Sequence, residues 1–112
     1  MSRPETVICT YRVKPGHEAA FTKLLEQHWP TLRERGLATE RRPQHFAGAD
    51  DDGRPLFVEI FEWVDGEAPE KAHHDEAVMA VWGPMDELTE ARGGRPNMEF
   101  PHVQPLDVLP PG

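Results

Sequence analysis

Residues 56–63, Leu-Phe-Val-Glu-Ile-Phe-Glu-Trp, constrain this chain more than any other stretch. Side chains alternate across a β-strand, so Phe57, Glu59, Phe61 and Trp63 share one face and Leu56, Val58, Ile60 and Glu62 the other. Both faces are largely apolar, which describes a central strand covered on both sides. A domain of 112 residues supplies helices for one face only. The other face calls for a partner, and a second copy of the same sheet is the economical cover.

The remaining elements fall around this strand. Residues 7–13, rich in β-branched and aromatic types, read as strand one and end at Pro15-Gly16. Residues 17–35 read as helix one, with Phe21, Leu24, Leu25, His28 and Leu32 at helical spacing and Gly36 as its stop. Pro30 should kink it or begin a separate last segment. Residues 37–46 form a weaker strand two, confined by Pro43 to an edge or bulge, and 48–53 form a polar hairpin turn. Residues 69–91 read as helix two, opened by Pro69 and broken at Gly83-Pro84, with Ala77, Val78, Val81, Trp82, Met85 and Leu88 as its apolar stripe. Residues 97–104 are a short strand four, and the proline-rich tail 105–112 wraps a surface or a partner.

The order β-α-β-β-α-β predicts one α+β domain over 1–112. It is ferredoxin-like, with a four-stranded antiparallel sheet and helices on one face, and it pairs with a second copy through the sheet. A net charge of −8 argues against nucleic acid or an anionic membrane as partner. No stretch approaches the about 18 apolar residues of a membrane span, and residues 1–6 lack the apolar core of a signal peptide, so the cytoplasm is the expected address. The single cysteine, Cys9, sits in an apolar strand and reads as a buried structural thiol.

Several residues could carry chemistry. Glu59 stands among Phe57, Phe61 and Trp63. If that face meets the helices, burial makes the carboxyl a usable acid or base; the alternative is a structural pairing with Arg12 or a histidine. His28 on the helix-one stripe, His73 at the start of helix two and His102 on strand four could converge on the same space. With Glu59 they form a set suited to zinc, iron or nickel, although no close His-x-x-x-His pair supports a metal, and the alternative is three hydrogen-bonded, half-buried histidines. Only one of His73 and His74 can face a pocket, and His17 and His45 read as surface residues. Trp63 could wall a pocket for a flat ring, Trp82 reads as packing, and Tyr11 could donate a hydrogen bond to a substrate carbonyl. Phosphate loops and nucleophile motifs are absent from the sequence.

The stretches Tyr11-Arg-Val-Lys-Pro-Gly-His-Glu-Ala-Ala-Phe21, Phe57-Val-Glu-Ile-Phe-Glu-Trp-Val-Asp65, Ala72-His73 and Val78-Met-Ala-Val-Trp82 together resemble the antibiotic-biosynthesis monooxygenase family of dimeric α+β barrels, over roughly residues 6–104. The resemblance implies a homodimer holding a small-molecule ligand between sheet and helices. It also implies, for an oxygenating member, a deprotonated aromatic or carbonyl-bearing substrate that reacts with oxygen without a prosthetic group. Trp63 matches the family's strand-ending tryptophan and His73 its histidine near the start of helix two. Quinone-forming members carry an amide four residues before that tryptophan, where this chain has Glu59. The haem-degrading branch uses a strand-one Asn and a late Trp/His pair in helix two, both missing here. Glu59 and His73 are thus the expected proton-moving groups, Trp63, Tyr11, His28 and His102 the expected substrate contacts, and no cofactor or metal is expected. A small-molecule- or metal-binding dimer without turnover is the alternative.

Overall fold

The structure, a computed structural model, describes residues 3–111. Its strands are β1 (Glu5–Arg12), β2 (Gln44–Ala49), β3 (Pro55–Trp63), β4 (Met98–Glu99) and β5 (His102–Val103), and its helices α1 (Glu18–Glu34), α2 (Ala68–His73) and α3 (Glu76–Glu87). The antiparallel sheet runs β2-β3-β1-β4, with β5 also alongside β1. β4 and β5 are the expected strand four, parted around Pro101, whose carbonyl still accepts the Ile8 N–H at 3.0 Å. The fold is therefore the α+β, ferredoxin-like arrangement read from the sequence.

The register Cys9↔Glu59 and Tyr11↔Phe57 puts Val7, Cys9 and Tyr11 on one face with Phe57, Glu59, Phe61 and Trp63, and all seven are buried. This face meets the helices: Phe21 of α1 packs on Tyr11 and Phe57 at ring-centre distances of 5.0 and 5.6 Å. The opposite face carries Ile8, Val58 and Ile60, which are only half-buried, and Phe46 of β2, which is 54% exposed. The apolar surface expected to need a second layer is thus uncovered in the single chain.

Several expectations are corrected. Helix two is two helices: the chain turns at His74, and Asp75 starts α3 by accepting the N–H groups of Ala77 and Val78 at 2.9 and 3.2 Å. The break expected at Gly83-Pro84 does not occur, and Pro30 does not interrupt α1; both prolines face solvent, where water can satisfy the carbonyls they leave unpaired. Strand two lies at 44–49 rather than 37–46, beginning just after Pro43, where a missing donor costs no ladder bond. The turn shifts to Asp50–Arg54: Asp50 accepts the N–H groups of Asp52 and Arg54, and Gly53 takes φ +78°, a conformation open to glycine. Buried Arg92 fastens this turn by donating to Asp50, Val13 and Pro55.

Among the described residues, no helix is long and apolar enough to cross a membrane.

Candidate active site

A cavity of about 620 Å³ opens between the buried sheet face and α2–α3, with β4 and β5 at its edge. Tyr11, His28, Trp63, His73 and His102, drawn from five different elements and 92 positions of sequence, all line it. The remaining walls are mainly aromatic and thioether side chains, including Phe61, Trp82, Phe100 and Met85. Five of the six expected site residues therefore share one space.

Glu59 stands behind that wall. It is fully buried and does not line the cavity. Its Oε1 accepts the Tyr11 hydroxyl at 2.7 Å and His28 Nδ1–H at 2.7 Å, and its Oε2 contacts His45 Nε2 at 2.8 Å. Register explains the convergence: β3 places Glu59 opposite Cys9 of β1 and His45 of β2, and α1 lays His28 across the top. Burial pushes this carboxyl up, but attraction and a hydrogen bond from His28, with hydrogen bonds from His45 and Tyr11, outweigh it and hold it at about 2. Three donors on two oxygens give that direction even with His28 neutral. Glu59 is an ionised acceptor set behind the cavity wall. This is the pairing with a histidine that the sequence offered as the alternative to a proton-moving role. Arg12 is not its partner; Arg12 donates to Pro96 and Glu99.

The tautomer of His28 follows from its two contacts. Trp82 Nε1–H can only donate, and it reaches His28 Nε2 at 2.8 Å. Nε2 therefore holds the lone pair and Nδ1 the proton given to Glu59. A carboxylate behind an imidazole whose far nitrogen is unprotonated is the arrangement that orients and strengthens a base. Trp82 does more than pack, as expected from its stripe: it caps this lone pair, and it is itself stacked edge-on by His73 at 4.9 Å.

Burial, followed by the nearby Cys9 and Glu59, pushes the Tyr11 hydroxyl well up, so it remains a donor. Burial, followed by the charge of Glu59, does the same for the Cys9 thiol, consistent with a structural cysteine. His102 sits at the rim and contacts Glu5 at 2.9 Å. His74 points outward to Glu70, so His73 is the member of that pair in the cavity. His28, His73, His102 and Glu59 do not converge as a ligand set; among the described residues no group of three or more His, Cys, Asp or Glu is placed to hold a metal.

His45 and Trp82 are the participants that the sequence did not reveal. His45 was expected at the surface, and its ring is indeed 40% exposed, but its Nε2 reaches the buried carboxylate. A hairpin turn centred on Asp50–Arg54 would have paired His45 with Glu59; a turn at 48–53 does not.

No protein-family model and no curated protein matches this chain. Solved structures do. SnoaB from Streptomyces nogalater, described as a cofactor-independent oxygenase, is 15% identical with a TM-score of 0.68, covering 98% of this chain and 100% of that one. An antibiotic biosynthesis monooxygenase is 16% identical with a TM-score of 0.68, over 92% and 99%. Protein PA3566 from Pseudomonas aeruginosa is 24% identical with a TM-score of 0.61, over 96% and 98%. At these identities the similarity establishes the fold, which is that of the antibiotic-biosynthesis monooxygenase-like proteins, over nearly the whole chain.

Proposed function

We propose that this protein is a cofactor-free, monooxygenase-like oxidoreductase acting on a small aromatic or carbonyl compound in the 620 Å³ cavity. The observation that carries the reading is the His28–Glu59 dyad, an oriented imidazole on an ionised carboxylate, set in the wall of an aromatic-lined space. The likeness to SnoaB, a cofactor-independent oxygenase, supports it by fold analogy.

The chemistry balances without a prosthetic group. A substrate that displaces the Trp82 N–H from His28 gives a C–H proton to Nε2, and Glu59 steadies the imidazolium. The resulting carbanion passes an electron to molecular oxygen, and the radical pair joins as a C–O bond. The peroxide takes the proton back from His28. Loss of water, with the second C–H proton, leaves a ketone: R₂CH₂ + O₂ → R₂C=O + H₂O. Trp63 would stack the ring and Tyr11 would donate to a substrate oxygen. His73, across the cavity, is the second group able to exchange a proton with the substrate. Glu59 acts through His28 and is a positioning residue.

The working unit in this reading is a homodimer joined through the half-exposed face of Ile8, Val58 and Ile60, because burying that face removes apolar surface from water.

One observation favours a second reading, a small-molecule-binding dimer without turnover: Trp82 occupies the lone pair that a base needs. Oxygen uptake on a panel of enolisable aromatic ketones and phenols separates the two. The oxygenase reading expects uptake that falls at least a hundredfold in His28→Ala. Saturable binding of a panel member with no oxygen consumed would establish the second.

A further inference from the structure

Glu59 is approached from two sides. On Oε1 it meets His28, which faces the cavity; on Oε2 it meets His45, which faces a separate recess of about 270 Å³ beside Leu25, Glu26 and Phe57. Among the described residues, none lines both spaces. One buried negative charge thus serves two imidazoles, one turned to the ligand and the other to solvent.

We propose that His45 is a positioning residue which sets how readily His28 takes a proton, by competing with it for the single charge of Glu59. The inference rests on the preceding reading only in calling His28 the base; the competition itself is a property of the free protein.

The argument is electrostatic. Neutral His45 only donates a hydrogen bond to Oε2, and the full charge of Glu59 remains to stabilise a proton arriving on His28. Protonated His45 forms an ion pair with the same carboxylate. A second positive charge on His28 would then leave the buried cluster with a net charge of its own sign, which burial opposes. Nothing else nearby supplies compensation. From β1 the cluster is faced by Tyr11 and Cys9, both kept protonated and neutral; from α1 by His28, with Glu26 out in the recess; from β2 by His45. On the α3 side Trp82 contacts His28, and His73 contacts Trp82. Among the described residues, no Lys or Arg donates to Glu59. Acidification at the solvent-facing histidine therefore weakens the base at the ligand-facing one, although the two rings never touch the same molecule.

Sequence position makes the coupling testable, because His45 lies on an exposed edge strand outside the cavity. His45→Gln keeps a neutral N–H donor to Oε2 and cannot be charged; His45→Lys places a permanent charge there. The readout is the titration of the His28 ring by NMR of the ligand-free protein between pH 4 and 9, with Glu59→Gln as the reference lacking the shared charge. We expect the His28 midpoint to move up in His45→Gln and down in His45→Lys, by about one pH unit each, or tenfold in proton affinity. Glu59→Gln should itself lower the His28 midpoint, and in that background the upward shift of His45→Gln should shrink while His45→Lys still lowers the midpoint by direct repulsion. Opposite shifts cannot arise from general loosening of the fold. A His28 midpoint that stays put in both variants, or moves the same way in both, overturns the proposal. Because no substrate is used, that failure would leave the oxygenase reading standing, and an absence of turnover would leave this result standing.

Discussion

Glu59→Gln tests most of the site's physics in one atom. The carboxylate is wholly buried and accepts three hydrogen bonds of 2.7–2.8 Å, from Tyr11, His28 and His45. A hydrogen bond to a charged acceptor contributes about 1.5–3 kcal/mol, and one between neutral groups about 0.5–1.5 kcal/mol. The amide thus gives up about 1 kcal/mol per bond. Its NH₂ can still be accommodated, because half-exposed His45 can change tautomer and accept from it. Linkage supplies a second route to the magnitude. The folded carboxyl is held at about 2 against an ordinary 4.5, a difference worth on the order of 3 kcal/mol. The folded value lies below the unfolded one, so this stability is fully present above about pH 4.5 and drains away as pH falls toward about 2. Urea unfolding at pH 7, 4 and 2.5 reads both effects. The variant should be less stable by about 2–3 kcal/mol at pH 7, and the gap should close on acidification. Comparing the two proteins cancels what they share, including Asp75 and Glu90, which Arg35 and Arg92 hold low by hydrogen bonding. A variant equal to the parent at pH 7, or a gap that stays constant down to pH 2.5, would refute the reasoning.

Four further outcomes are expected. Trp82→Phe removes the donor to His28 Nε2, and should cost about 1–2 kcal/mol in urea unfolding while tightening phenol binding measured by calorimetry; unchanged stability and affinity would show that the cap does nothing. On a substrate found by oxygen uptake, His73→Ala should lower kcat about tenfold to a hundredfold with the fold intact by circular dichroism, and full retention of kcat would remove His73 from proton transfer. The parent protein should run at about twice 12.7 kDa in light scattering and Ile60→Glu as a monomer, whereas a monomeric parent would discard the sheet-face dimer. Titration of chelator-treated protein with Zn²⁺ should show no one-per-chain binding; a stoichiometric site lost in His28→Ala would restore the metal reading.

The elements that read cleanly in the sequence are those whose period is set by a strong burial contrast. β3 alternates between buried Phe57, Glu59, Phe61 and Trp63 and a half-buried opposite face, and α1 buries Phe21, Leu25, His28 and Leu32 as its stripe predicts. That was enough to bring Tyr11, His28, Trp63, His73 and His102 to one cavity. β2 was harder, because all six of its residues are exposed and it has no burial pattern to read. Its register is set by the Asp50–Arg54 turn and by Arg92, some 40 positions away, and a misplaced turn hid the His45–Glu59 contact. The helix break was misplaced because Gly83-Pro84 is a stronger breaker in composition than His74-Asp75, yet Pro84 sits on the solvent face, where water can take the carbonyl it leaves unpaired, and a capping aspartate starts a new helix outright. Trp82 shows the remaining limit: an indole on an apolar stripe looks like packing until its N–H is seen to have a partner.

The central claim is that this cavity joins molecular oxygen to an organic substrate with only the protein's own groups. Turnover of the first oxygen-consuming substrate under ¹⁸O₂, with chelator-treated protein and rapid quenching, tests it most directly. The account predicts a ketone carrying one ¹⁸O atom from oxygen gas, with one O₂ consumed per substrate and the reaction lost in His28→Ala. Substrate recovered unchanged, or product oxygen drawn from water, would contradict it.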